Sequence, residues 1–464
     1  MREWTTAAAV IWCIAAQAAA SPGSAPATAP ATAPSTAPAV EASLTDVYVS
    51  SPKELRAALA DLEPGTRILV APGEYRGFSL RRFSARMDAP VVIAAADATD
   101  PPVFGGGREA IKLTSCSFIR LERLIVRGCR DNGINIDDGG SDRLPSRRIV
   151  LRHLTVEDIG PGGNHDAIKL SGVMDAVIRD CRISRWGGSA IDMVGCHRVV
   201  VDGCRFQGDS EARQKNSVQI KGGSSHVLVQ DCAFLNAGER VVNLGGATGE
   251  AFFRPRGVPY EAKDVTIAGC RFVGGEAHIA WVTCLDTHVH HNIFYRPDKW
   301  VGRILQETDD GRFEPCGRGV FAHNLVVADA ELRAAINVGR GTAPRSFAFR
   351  ENAWYFADGR RPSLPVAERG GVHQVDPELR HAGTAGMEIG SEDPRLDGIG
   401  PRAYERWEAP ENFEDVETPE VPPTTTASPV LGADLPEWLL YIAGATVLGA
   451  IVVGLVLRRV RGAG

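Results

Sequence analysis

Five short segments share one apolar–polar–apolar form: Ile134-Asn135-Ile136, Ile168-Lys169-Leu170, Ile191-Asp192-Met193, Val218-Gln219-Ile220 and Val242-Asn243-Leu244, followed by Ile279-Ala280-Trp281. In a strand the flanking residues face one side and the middle one the other. The middle residues therefore form an outward column, Asn135, Lys169, Asp192, Gln219 and Asn243, ending at Ala280. Two positions on, Asp137, Ser171 and Lys221 form a second file; three positions earlier, Asn132, Asp166, Ser189, Asn216 and Arg240 line a turn. A polar outer face is ordinary, but five successive hydrogen-bonding residues of both charge signs make a mixed-charge groove. Lys221 or Lys169 acts as a base where burial or a nearby cation lowers its pKa. Arg240 can clamp a carboxylate with two parallel hydrogen bonds or serve as an acid. Asp137 and Asp138, with Asp166 and Asp192, offer the oxygen donors that Ca²⁺ prefers.

The elements that hold these residues repeat. VRGCR ends near Cys129, and VIRDCRI, VVVDGCRF, VLVQDCAF and VTIAGCRF surround Cys181, Cys204, Cys232 and Cys270. Leu154 takes the same slot once, and Asn292, Asn324 and Asn352 take it later. Spacings of 23 residues (Cys181 to Cys204) and 28 (Cys204 to Cys232) indicate stacked supersecondary units. The runs between them alternate like half-buried strands, with no helical period of useful length. An all-β parallel β-helix follows, in which a small side chain stacks on its equivalent about 4.8 Å away. Ser51-Pro52-Lys53-Glu54 is a helix start, with Ser as N-cap and Pro at the first helical position, so a short N-terminal helix over Leu55–Leu62 caps the coil. The string Gly65 to Tyr75, GTRILVAPGEY, resembles the first rung of many β-helix lyases. The chain from Leu44 to Trp407 resembles right-handed parallel β-helix proteins, the superfamily of pectate lyases.

A sugar chain can lie across successive rungs, so an acidic, uronate-containing polysaccharide fits the groove. Lyase chemistry on it needs a partner for the carboxylate, a base for the C5 proton and an acid for the leaving oxygen. Gln219-Ile220-Lys221-Gly222-Gly223-Ser224 is similar to the S-K-S-like strand of the chondroitinase-B and alginate-lyase group, which implies Lys221 as base. One coil on, that group's Arg-His pair is replaced by Asn243-Leu244, and Arg240 lies three positions early. His165-Asp166 resembles the P-H-D element of mannuronan C5-epimerases. Asp137-Asp138 resembles polygalacturonases, whose G-H-G element is absent, so paired-carboxylate hydrolysis ranks lower. The insertion Gly246–Asp264 carries Phe252, Phe253, Arg254, Arg256 and Tyr260, and a second carries Tyr295, Arg296, Lys299, Trp300 and Arg303. Phe253, Arg254, Arg256, Tyr260 and Trp300 suit stacking on sugars and gripping carboxylates; equally, the phenylalanines can pin the loop. A lyase or C5-epimerase is expected, and a non-catalytic carbohydrate- or cell-wall-binding module is its rival.

The ends set the compartment. Residues 1–20 read as a signal peptide, 21–43 as a stiff Pro/Ala/Thr-rich linker, and 44–407 as the coil. Residues 408–434 form an acidic Pro/Thr-rich linker, 435–457 a transmembrane helix and 458–464 a basic tail. An exported protein tethered by a single pass is expected, working as a monomer, with a cleaved sorting tag as the alternative for its C-terminus. Of the chain's −6 net charge, 408–457 carries −8 and the three terminal arginines +3, leaving the body at about −1. Such a body lacks the basic face that nucleic acid requires. Nine cysteines follow Cys13. Their columns, in which Val, Ser, Leu and Asn substitute, indicate buried packing thiols, although stacked rungs are close enough for one disulfide.

Overall fold

The computed structural model describes residues 44–408 except 210–213 and 309. The expected leader, first linker, transmembrane helix and tail lie outside the described residues, as does the second linker beyond Glu408. Among the described residues no helix is long and apolar enough to cross a membrane.

Alternating Val, Ile and Leu runs with short turns leave the chain one way to bury its apolar side, which is to coil. Each coil contributes a strand to each of three sheets in turn, for instance Ser117–Glu122, Ile125–Arg127 and Ile134–Asp137. Among the described residues these sheets hold twelve (sheet I), twelve (sheet II) and ten (sheet III) strands, ordered along the coil axis as they follow in sequence. Their strands pair in parallel, as in Lys169↔Asp192 on sheet III and Val199↔Val227 on sheet I. The helix Pro52–Ala60 covers the first coil with Leu55 buried. Ser51 Oγ accepts from Glu54 N at 3.3 Å while Glu54 reaches back to Ser50 N at 2.7 Å, satisfying donors that a helix start leaves open.

The interior is a set of columns. Phe206, Phe234, Phe272 and Phe294 stack at 4.7, 4.7 and 4.8 Å between ring centroids, one ring per rung. Such pairs contribute roughly 0.5–1.5 kcal/mol each beyond area burial. Asn292, Asn324 and Asn352 form a ladder in which each Oδ1 accepts the preceding rung's backbone N–H, and those of Asn324 and Asn352 also accept the preceding asparagine's Nδ2–H, at 2.9–3.0 Å where two asparagines meet. Glu368 closes it, accepting Asn352 Nδ2 at 2.7 Å. The nine cysteines among the described residues are free and buried, and Cys284 Sγ lies 3.8 Å from Cys316 Sγ. The alternating pattern fades after Gly370 because the chain leaves the coil there. Val375, Met387, Ile389, Leu396 and Ile399 pack with Ile293 and Leu325 in a second core. Trp407 then covers Val177, Val200 and Leu228 on the outside of sheet I, and Arg406 pairs with Asp202 at 2.7 Å.

Candidate functional site

Sheet III carries the outward column. Register aligns Asn135 with Lys169, Lys169 with Asp192, Asp192 with Gln219, and Gln219 with Asn243. Ala280, Arg303 and Asn337 continue it, and Lys112 and Ser79 precede it. The column is thus longer than the Asn135–Ala280 run expected from the sequence. Ile111-Lys112-Leu113 and Gly302-Arg303-Ile304 carry much the same apolar–polar–apolar signal at its two ends.

At its centre two lysines lie over two carboxylates. Lys169 Nζ pairs with Asp192 Oδ2 and, at 3.1 Å, with Asp166 Oδ2. Lys221 Nζ lies 3.3 Å from Asp192 Oδ1 and donates to Gln219 Oε1 at 3.0 Å. Asp166 Oδ1 accepts Ser189 N at 2.8 Å, and Asn132 Oδ1 accepts Asp166 N at 2.9 Å, which fixes the carboxylate from both neighbouring coils. Asp192 and Asp166 are each 1% exposed and Asn243 2%. The outward direction is thus as expected, but these residues are not the wet face anticipated. Short Asp and Asn side chains lie beneath the longer Lys and Gln of adjacent rungs. The chain also folds over them at Gly246, where a Cβ would stand 3.2 Å from Gln219 Nε2 and 3.4 Å from Lys221 Cδ. Asp192 and Asp166 therefore hold the lysines rather than meet a ligand themselves. Lys169, Lys221, Gln219 and Asn135 remain partly accessible.

Burial opposes the charge on Lys169, but Asp192 and Asp166 outweigh it and raise its pKa above the ordinary lysine value. A base needs that value lowered, so this pairing opposes the expected role of Lys169 as a base. Burial, with repulsion from Asp192, raises the Asp166 carboxyl, and Lys169 opposes the rise.

Several expected partners do not converge. Arg240 aligns with Asn216, five residues and roughly 17 Å along the strand from Lys221. Its guanidinium pairs with Glu307 at 2.5 Å, a partner 67 residues away that the sequence did not reveal. His165 is half-buried beside the Gly160–Gly163 turn, with no hydrogen bond to its side chain among the described residues. Asp137 pairs with Lys112 at 3.2 Å and Asp138 with Arg254 at 2.8 Å. The two acids face different cations, and among the described residues no three His, Cys, Asp or Glu gather as a metal site. These donors do not fit a calcium cage.

The insertion after Asn243 is pinned rather than open. Phe253 is 0% exposed, against Phe313 at 5.8 Å and under Arg312 at 5.1 Å. Arg254 bonds Asp138, and its carbonyl accepts His197 Nε2–H at 2.9 Å. Gly195, at φ +63°, makes room, because a Cβ there would stand 2.6 Å from Arg254 Cβ. Phe253 and Arg254 are thus fastenings, which corrects their expected role as sugar contacts. Glu261, fully buried, anchors the loop base by accepting Gly222 N and Thr248 N at 2.7 Å each. Tyr260 is half-buried, its phenol pKa raised by burial, and Arg256 is exposed. Trp300 lies in Arg240's file, two rungs on, with Arg303 stacked 4.3 Å over its ring.

The arrangement offers a trough with two cationic tips, amide groups beside them and an aromatic–arginine platform toward its far end. It can bind a chain bearing carboxylates and hydroxyls. No curated protein matches the sequence. Solved structures with a similar course include an alginate lyase from Paenibacillus sp., at 17% identity over 64% of this chain and 96% of that one, TM-score 0.40. A rhamnogalacturonan lyase aligns at 11% identity over 69% and 89%, TM-score 0.45. The Azotobacter vinelandii mannuronan C-5 epimerase AlgE6 A-module aligns at 11% identity over 70% and 94%, TM-score 0.43. Residues 144–301 match the family model described as a right handed beta helix region. Residues 144–301 carry that match, and three parallel sheets wound from successive coils make the described residues a parallel β-helix.

Proposed function

We propose that the sheet III trough takes an acidic, uronate-containing polysaccharide and acts on it as a lyase or C5-epimerase by proton abstraction. The observation that carries the reading is the buried Asp192, which holds Lys169 from the rung before it and Lys221 from the rung after it, with Asp166 also on Lys169, because this supplies two fixed cationic groups at one point of a long trough. Lys169, kept protonated, neutralises a substrate carboxylate and so acidifies its C5–H. Lys221, against a single carboxylate oxygen and Gln219, removes that proton. In the lyase the electron pair then expels the C4 oxygen, which gains a proton; in the epimerase a proton returns to C5 from the opposite face. His165, half-buried at the rim, is a candidate for supplying a proton. The lyases and epimerase named above act on such polymers, and their likeness to this chain extends to the fold alone.

The test is incubation with alginate, pectate and glycosaminoglycans, followed by unsaturated-uronate absorbance and by exchange of the C5 proton in deuterated water. We expect one polymer to respond and Lys221→Ala to abolish the response. A second reading is a non-catalytic carbohydrate-binding module. It is favoured by the 3.3 Å contact of Lys221 with Asp192 and by the diversion of Arg240 to Glu307. Binding with neither product nor exchange selects it, and failure to bind any acidic polymer removes both. Export, with tethering through residues 435–457, belongs to the same proposal and is tested by membrane fractionation and protease access on intact cells.

A further inference from the structure

Arg182 and Arg205 open neighbouring strands of sheet II and align directly, one rung or about 4.8 Å apart. Both are exposed. Like charges facing one another across strands are destabilising. Elsewhere on this surface arginines meet acids: Arg179 with Asp202 at 2.9 Å, Arg127 with Glu157 at 2.5 Å, Arg198 with Asp175 at 2.6 Å. Neither Arg182 nor Arg205 has an acidic partner among the described residues. The two line a cleft of about 630 Å³ at the corner between sheets I and II, walled by Ala98 and Pro101 and edged by Arg123 and His153. Asp180 is the one acid lining it, 3.9 Å from His153. Burial lowers the pKa of His153, and Arg123 lowers it further against the opposing pull of Asp180. The charges of Arg123 and Asp180 offset one another, so it is the two unpaired guanidiniums that make the cleft cationic.

We propose that Arg182 and Arg205 form an oxyanion-binding site that takes a carboxylate, sulfate or phosphate group, separate from the trough and sharing no residue with it. Planar guanidiniums carried on neighbouring rungs and lining one cleft can turn their N–H forks to a single multidentate oxyanion. The source of the anion is either a free ion or a group carried on an acidic glycan crossing this corner. The site does not depend on what the trough does.

The test is calorimetric titration of the full-length protein with inorganic phosphate at low ionic strength. Wild type should bind, with affinity falling as sodium chloride rises, and Arg182→Gln/Arg205→Gln should bind at least tenfold more weakly. Lys169→Ala, altered in the trough, should keep the arginine-dependent response. Arg205→Glu should build a cross-strand pair with Arg182, so that the melting temperature is held or raised while binding is lost, which separates loss of the site from loss of the fold. Tetragalacturonate that displaces the phosphate identifies a glycan-borne group; phosphate bound without such displacement identifies a free ion. No phosphate binding, or undiminished binding in the double variant, overturns the proposal.

Discussion

The coil carries two columns at the same rung spacing, one facing in and one facing out, and they are built on opposite rules. Inside, the ladder uses cysteine on most of its early rungs, with Leu154 once, and asparagine on the later ones, so that like residues repeat one contact from rung to rung. Outside, Asn135, Lys169, Asp192, Gln219 and Asn243 change type at every rung. A stacking column needs sameness, because each rung must offer what its neighbour accepts. A binding trough needs difference, because a ligand presents different groups along its length. Repetition within a solenoid thus marks what holds it, and its interruption marks what it is used for.

The sharpest break in the outer column is Asp192→Ala. It leaves Lys169 with Asp166 alone and takes from Lys221 the carboxylate it pairs with. Removing one partner of a buried pair costs about 3–5 kcal/mol, and the partial exposure of both lysines places this case near the lower figure. Urea unfolding should show that loss, and binding of acidic polysaccharide should disappear with it. Lys169→Met keeps the volume and removes the charge, so it should lose binding with a smaller loss of stability.

Next is the inner column at its asparagine end. Asn324 makes four ladder contacts: its Oδ1 accepts Asn292 N and Nδ2, and its own Nδ2 donates to Val289 O and Asn352 Oδ1. Asn324→Ala leaves these groups buried and unpaired. A loss of about 2–3 kcal/mol is expected by urea unfolding, without loss of polysaccharide binding.

Both columns could be read in the sequence because both rest on alternation and repeat length, which are local properties. Alternation does not report how far a neighbour's side chain reaches, so Asp192 and Asn243 read as wet when Lys169, Lys221 and Gln219 cover them. Contacts between distant segments were equally silent: Arg240 with Glu307, Arg254 with Asp138, Phe253 with Phe313. The C-terminal stretch lost its pattern because it packs on the outside of the coil, where no rung dictates a period.

The aromatic column gives a third test, through pH. His278, fully buried, stacks on Phe272 and Phe294 and reaches Gly274 O at 2.9 Å. Burial lowers its pKa to about 3. A histidine whose folded value is depressed adds stability above its unfolded pKa of about 6.5 and loses it as pH falls toward the folded value. The slope for this group is about 1.4 kcal/mol per pH unit between those limits. His278→Phe should reduce the fall in unfolding free energy between pH 6.5 and 4 by that amount per unit. His290 and His291, lowered to about 3 and about 4 chiefly by burial, should keep a residual slope.

The smallest effect bears most directly on why the ladder changes residue partway. At the junction Cys270 N donates to Asn292 Oδ1 at 2.8 Å, so a cysteine rung already accepts an asparagine next to it. Cys204 Sγ lies 3.5 Å from Ile178 O, as Asn292 Nδ2 lies 3.0 Å from Ile267 O, so an amide at position 204 would find an equivalent carbonyl. Cys204→Asn should therefore cost no more than about 1 kcal/mol, the scale of one net hydrogen bond and well below Asn324→Ala. Cys204→Val offers no polar atom and fills the same space, so the pair separates packing from hydrogen bonding. If asparagine at 204 unfolds the chain while valine does not, the cysteine rungs are held by packing alone and the two ends of the ladder are different structures, not one column written in two residues.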